Sequence, residues 1–174
     1  MKLGVAWTVD RDGSIHCMLH IPRRTRVGRA VVRFAAVLSV AVLELPATWG
    51  NPRAALGHVD VLLASLPATD LVLLPELSLT GYVSPQRSFD VTPFGEPLDG
   101  ETAAAIATLA RKHRIHLVAP LVLREEGSFS NAMLGFDLHG ALAFVYRKRH
   151  PWFPETWATA GQAPPPSSSS AIFV

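Results

Sequence analysis

The 174-residue sequence contains little cysteine and little charge. Its single cysteine excludes a framework of internal disulfide bonds. Charged residues make up 17% and apolar residues 49%, the opposite of a disordered chain, which combines low hydrophobicity with high charge. No short repeat is present, which excludes collagen, coiled coils and repeat arrays. The length suits one globular domain, or part of a larger one.

Long apolar runs are also missing. The run at 34–43 covers about ten residues, whereas a membrane-spanning helix needs about 20. A secretory signal or an organelle transit peptide would likewise place basic residues before an apolar segment. Here the basic cluster begins only at Arg23 and serine is scarce. We therefore predict a cytoplasmic protein without a membrane partner.

The net charge of +2 hides an asymmetry along the chain. Residues 1–37 carry seven Lys and Arg against two acids, and residues 38–174 carry nine against twelve. Nucleic-acid binding needs a basic face on a folded domain, so we predict no such partner and interpret residues 1–37 as a basic, poorly ordered extension. His16, Cys17 and His20 stand close together, but zinc prefers four ligands at set spacings. No metal or cofactor is predicted.

The order of apolar segments predicts a βαβ unit. Residues 38–45 are typical of a buried strand, and Asn51-Pro52 is a good helix start, because Asn caps free N–H groups and Pro suits the first helical position. Apolar residues then recur at helical spacing, at Leu56, Val59, Leu63 and Leu66. A second apolar run at 71–74 completes the unit and indicates an α/β fold.

The remaining segments extend this pattern. Glycines and prolines punctuate a long loop at 77–100, and loops of that length inside a domain tend to be functional. Residues 101–113 begin with an acid and end with bases, which suits a helix dipole. We predict a strand at 115–120 and a hairpin from two alternating segments, 130–136 and 141–147.

Two charged residues follow predicted strands. Glu76 comes directly after the run at 71–74, where ligands gather in open α/β sheets. In apolar surroundings its charged form is disfavoured, which makes it a usable base; capping of the next loop is the alternative. Lys148, one of three lysines, follows the strand at 141–147. Its ammonium can stabilise an oxyanion, or it can simply end a strand in solvent.

Four motifs, in order from residue 38 to residue 161, carry a family resemblance. They are LSVAVLELPATWGNPRAAL, DLVLLPELSLTGY, the Asn131-Ala132 step of SFSNAMLGFDLHG, and YRKRHPWFPETWATAG. On these motifs the sequence resembles the carbon–nitrogen hydrolase (nitrilase/amidase) family. The resemblance implies a partial α-β-β-α sandwich and hydrolysis of a small-molecule amide, carbamoyl or nitrile C–N bond, without a cofactor.

The resemblance also implies a Glu–Lys–Cys triad. It assigns the general base to Glu76, the oxyanion-stabilising ammonium to Lys148, and the family's supporting second glutamate to Glu155. The family's cysteine follows the lysine segment, whereas Cys17 precedes it and the hydroxyls of residues 167–170 lie in a low-complexity end at 163–174. We therefore expect residues 38–174 to be an incomplete domain, truncated before its nucleophile and inactive alone.

The sequence leaves alternatives for the function and for the aromatic residues near the site. A non-catalytic binding or regulatory protein that keeps the fold and is stabilised as a homo-oligomer is the alternative to a hydrolase. The loop at 77–100 together with Trp152, Phe153 and Trp157 is expected to line the mouth of the site, with core packing as the alternative for each aromatic ring.

Overall fold

The computed structural model describes the backbone of residues 4–9, 15–27, 30–46 and 48–163, and the side chains from residue 38 onward within these ranges. Its strands form one sheet in the order β1-β2-β3-β4-β5-β6-β7. Their bounds are Gly4–Val9, Ile15–Val27, Ala30–Val42, Leu71–Leu73, His116–Glu125, Ser128–Phe136 and Leu142–Arg147. The pairs β3–β4 and β4–β5 are parallel and the other pairs are antiparallel, so the parallel centre is the predicted βαβ unit.

Two α-helices connect the parallel strands, and local residues explain where α1 begins and where α2 ends. Helix α1 (Pro52–Ser65) begins after Asn51, whose side chain accepts a hydrogen bond from the Ala54 N–H. Helix α2 (Glu101–His113) ends at Arg114, whose left-handed backbone closes the last turn. The described helices include none that is long and apolar enough to cross a membrane.

The helices cover one face of the sheet and leave the other to the candidate site. Apolar residues alternate along each central strand, so that one set faces the helices. This core contains, among others, Ala41, Val59, Val72, Ile106, Leu117, Leu123 and Leu134. One helical layer on one β layer is half of an α-β-β-α sandwich, which confirms the predicted partial α/β architecture.

The strand β5 runs further than the sequence predicts. The prediction ends it at Pro120, yet the strand continues to Glu125. His116 N–H donates to Asp70 O and Val118 O accepts from Leu74 N–H, so the backbone groups of these alternate residues face the β4 side. Pro120 is next in that series, beyond the end of β4, where a missing N–H leaves no ladder bond unmade.

The sheet also begins earlier than predicted. The sequence prediction starts the first core strand at residue 38, because the arginines up to Arg33 belong to the basic stretch. In the structure this strand, β3, begins at Ala30, and β1 and β2 pair in turn beside it. The poor order expected for residues 1–37 stays a prediction, and their side chains lie outside the described part of the chain.

Candidate active site

Glu76 lies where the chain leaves the sheet. It follows the end of β4 by three residues, and Leu77 behind it adopts a left-handed backbone with φ 51°. The Gly81 N–H donates to the Leu77 carbonyl at 2.8 Å, which closes the turn. The Glu76 side chain stays 42% exposed at the carboxyl end of the parallel strands, and its partners are polar, not apolar as the sequence analysis expects.

Lys148 continues the sheet one residue past β7. Its N–H donates to the Asn131 carbonyl of β6 at 2.8 Å, so the backbone ladder fixes where the side chain starts. The Lys148 side chain is 25% exposed, whereas the neighbouring Arg149 is exposed. The alternative prediction, a strand end in solvent, thus describes Arg149 and not Lys148.

The structure brings together the three residues that the resemblance assigns to the site. Lys148 Nζ lies 2.7 Å from Glu76 Oε1, although 72 positions separate the two residues. The same Nζ lies 3.0 Å from each carboxylate oxygen of Glu155. One ammonium therefore bridges two carboxylates, and the cluster carries a net charge of −1 when all three groups are ionised.

Glu155 is held from several sides. Its side chain is 1% exposed. Oε1 accepts hydrogen bonds from the Tyr82 hydroxyl at 2.7 Å and from Asn131 Nδ2 at 3.0 Å, and Oε2 accepts one from the Trp152 N–H at 3.0 Å. Because its oxygens are occupied and buried, Glu155 can orient Lys148 but has little freedom to meet a substrate, whereas Glu76 is open to solvent.

The protonation states of the cluster follow from these contacts. Burial acts to raise the pKa of Glu155, but hydrogen bonds from Tyr82, Lys148 and the Trp152 N–H outweigh burial and lower it. Burial acts to lower the pKa of Lys148, and its bonds to Glu76 and Glu155 raise it on balance. Burial and the bond to Glu155 both raise the pKa of Tyr82. At neutral pH the cluster therefore contains a carboxylate, an ammonium and a neutral phenol.

Asn131 and Tyr82 belong to the cluster, and the sequence analysis gave neither a role. Asn131 Nδ2 also donates to Glu76 Oε1 at 2.7 Å, so its amide contacts both glutamates. The signal in the sequence was an amide side chain within a predicted strand, since buried polar groups need partners. For Tyr82 the signal was its place at the end of the motif DLVLLPELSLTGY.

The aromatic residues expected at the mouth divide into two groups. Trp152 stacks at a tilt against Tyr82, with ring centroids 6.1 Å apart, and is 50% exposed; Phe153 beside it is 81% exposed. These two rings lie next to the Glu155 end of the cluster. Trp157 instead packs against a small core that includes Leu77, which is the core-packing alternative.

The backbone of Cys17 lies apart from the cluster. Cys17 lies in β2 opposite Val40, which is itself opposite Leu71 of β4. Glu76 is five residues further along, so the Cys17 backbone is roughly 15 Å away along the strand direction. The side chains of the His16, Cys17 and His20 group and the hydroxyls of residues 167–170 lie outside the described residues. Within the described residues, no group of three His, Cys, Asp or Glu side chains could hold a metal ion.

The fold and this cluster together define an α/β protein of the carbon–nitrogen hydrolase class. The family model described as "Carbon-nitrogen hydrolase" matches residues 39–170. The chain belongs to this family, as its motifs predict.

Similar proteins give the same result. A formamidase of Pseudomonas syringae pv. tomato is 32% identical over 130 residues, which cover 70% of this chain and 37% of that protein. A crystal structure of an amidase from Nesterenkonia sp. has a TM-score of 0.63 at 28% identity, and the match covers 74% of this chain and 50% of the amidase chain. The crystal structure of a CN-hydrolase superfamily protein from Xanthomonas campestris has a TM-score of 0.62 at 27% identity, and the match covers 71% of this chain and 46% of that chain. The chain spans half or less of the length of these relatives.

Proposed function

We propose that this chain supplies the acid–base and electrostatic part of a site that hydrolyses the C–N bond of a small-molecule amide. The observation that carries the proposal is the position of Lys148 Nζ, 2.7 Å from the solvent-exposed Glu76 and 3.0 Å from the buried Glu155. An exposed carboxylate can exchange protons, and an ammonium held in place by a second carboxylate can stabilise an oxyanion.

The reaction assigns one role to each residue. Glu76 takes the proton of a cysteine thiol, the thiolate forms a bond to the amide carbon, and Lys148 stabilises the oxyanion that develops. Glu76 returns the proton to the leaving amine as the C–N bond breaks, which leaves a thioester. Water then attacks the thioester carbon and gives a proton to Glu76, the C–S bond breaks, and Glu76 returns the proton to the thiolate as the carboxylic acid leaves. Glu155 holds Lys148 in position throughout.

No residue of this chain is assigned the thiol. Cys17 is the single cysteine, and the register of β2 sets its backbone far from Glu76. We therefore propose that residues 1–174 alone do not turn over amides. The same observation supports a second candidate, a non-catalytic binding or regulatory protein that keeps the fold. The assignment to the cytoplasm and the possible homo-oligomer belong to the proposal as well.

The substrate class rests on the relatives' names. The similar proteins are a formamidase and an amidase, which favours a small amide over a nitrile for this chain. The exposed Glu76 carboxylate and the partly buried Lys148 ammonium suit a polar substrate that enters from solvent.

The test measures ammonia release from formamide and acetamide. Residues 1–174 alone should release none above buffer. A fusion of residues 1–163 to the cysteine-bearing remainder of the Pseudomonas syringae formamidase should release ammonia, and Glu76→Gln should abolish this turnover. The matched control, Arg149→Gln, removes a charge from an exposed neighbour of Lys148 and should keep turnover within about twofold, since surface changes are nearly neutral.

Two outcomes contradict the proposal. A fusion that melts cooperatively but releases no ammonia contradicts the hydrolase function and favours the binding protein. If residues 1–174 alone release ammonia and Glu76→Gln abolishes that release, then these residues contain a working nucleophile, which contradicts the proposal. A defined oligomer with a cooperative melt, without turnover in the fusion, is the result expected of the second candidate.

A further inference from the structure

Asn131 occupies a buried position between two acidic groups. The residue is 3% exposed, and its Nδ2 lies 2.7 Å from Glu76 Oε1 and 3.0 Å from Glu155 Oε1. Its backbone is fixed on both sides, opposite Val122 of β5 and bonded through its carbonyl to the Lys148 N–H. The sheet therefore holds the backbone that carries the amide, independently of the two carboxylates.

We propose that Asn131 is a positioning residue, whose amide donates one hydrogen to each carboxylate and thereby holds Glu76 and Glu155 together around Lys148. This inference deepens the proposed function and rests on it for the role of Glu76. The amide orientation follows from its partners, because two carboxylates accept hydrogen bonds and the Asn131 carbonyl oxygen has none to donate.

The charges of the cluster explain why a neutral donor is needed. Two carboxylates repel each other, and one ammonium neutralises only half of their charge. Asn131 adds two hydrogen bonds without adding charge. Aspartate has the same shape but only accepts hydrogen bonds when ionised, and serine has a single donor. Among uncharged side chains of this size, asparagine therefore fits both contacts.

The contacts also orient the proposed base. Asn131 and Lys148 both bond Oε1 of Glu76, and no described residue donates to Oε2. One oxygen of Glu76 is thus fixed, and the other is free to accept a proton. If the amide were absent, the 42% exposed Glu76 side chain could turn into solvent, and Lys148 would lose one of its two carboxylate partners.

The test uses the lysines of the whole chain. The sequence has only three, Lys2, Lys112 and Lys148, so lysine labelled at Nζ gives three NMR signals. Lys112 serves as an internal control, because it pairs with Asp60 on the helical face at 2.7 Å. The readouts are the pKa of each ammonium and the rate at which its protons exchange with water.

Asn131→Leu, which removes both donors at similar volume, should lower the pKa of Lys148 and make its protons exchange about tenfold faster, with Lys112 unchanged. Asn131→Ser keeps one donor and should give an intermediate effect. The matched control is Ser130→Ala, which changes a buried polar residue on the opposite face of the same strand and should leave Lys148 as it is in the unchanged chain.

The inference is overturned if the Lys148 signal in the Asn131→Leu chain, or in the Asn131→Ser chain where the leucine variant does not fold, matches that of the Ser130→Ala chain. An unchanged Lys112 signal reports an intact fold in either case. None of these readouts requires turnover, so failure of the inference and failure of the proposed hydrolase function give different results.

Discussion

Replacing Lys148 by methionine removes the one cation that contacts Glu155 among the described residues. Methionine keeps an unbranched side chain, so the main loss is the cation. Removing one partner of a buried ion pair costs about 3–5 kcal/mol. Lys148 is 25% exposed, and Glu155 keeps neutral donors from Tyr82, Asn131 and the Trp152 backbone. We therefore expect the lower end, a loss of about 3 kcal/mol in the free energy of unfolding.

Urea denaturation at pH 7, followed by circular dichroism, measures this loss as a lower midpoint at unchanged slope. The matched control is Arg149→Met on the exposed neighbouring residue, expected within about 0.5 kcal/mol of the unchanged chain. The double variant Lys148→Met with Glu155→Gln should lose less than the sum of its single variants, because glutamine leaves no buried charge unpaired. A loss in Lys148→Met no larger than in the control, or strictly additive losses, would refute the reasoning.

Two further predictions concern pH and the core. Folding lowers the pKa of Glu155, so Glu155 contributes stability above about pH 4.5, and this contribution is lost as the pH falls through the pKa of the folded state. Folding raises the pKa of Lys148, so Lys148 contributes stability below about pH 10.5, and this contribution is lost as the pH rises through the pKa of the folded state. The urea midpoint should therefore decline at both ends of the pH range. Glu155→Gln should make the decline at acid pH shallower, and Lys148→Met should make the decline at alkaline pH shallower. Tyr82, whose pKa folding also raises, adds to the decline at alkaline pH. Ile106 of α2 is fully buried against the sheet. By the same assay, Ile106→Ala should lower the free energy of unfolding by about 2–5 kcal/mol, and Ile106→Val should lower it by about 0.5–1.5 kcal/mol. Equal losses for the two variants would contradict the place of Ile106 in the core.

The helices could be predicted closely because their signals are local. The Asn51-Pro52 start and the apolar spacing define α1, and the Ala-rich segment with charged ends defines α2, whose observed bounds equal the predicted ones. The cap of α2 was less visible. Asp99 stands just before the helix, but the Thr102 N–H bonds the Glu96 side chain, six positions away. Such a contact depends on the loop's path, which local patterns do not encode.

The site was predicted in part for the same physical reason. Glu76 and Lys148 could be found because each directly follows an apolar strand, and motif resemblance added Glu155. The bond between Tyr82 and Glu155 spans 73 positions, and no local pattern indicates that these two residues meet. Strand order and register decide which side chains meet, and these are tertiary properties. The length of β5 beyond Pro120 is a tertiary property as well, because Pro120 fits within the strand only where β4 has already ended.

The contact between Glu76 and Lys148 requires long side chains. With β5 and β6 between them, β4 and β7 are three strand spacings apart, about 14 Å. Lys148 adjoins Asn131 on β6, and Val122, opposite Asn131 on β5, is buried and apolar. Glu76 meets the ammonium at 2.7 Å from the turn after β4, where the next residue, Leu77, belongs to the same small core as Val122. Aspartate at position 76 would be one methylene shorter and would leave both its amide and its ammonium partner out of hydrogen-bond distance, so the geometry of this sheet, and not acidity alone, selects glutamate.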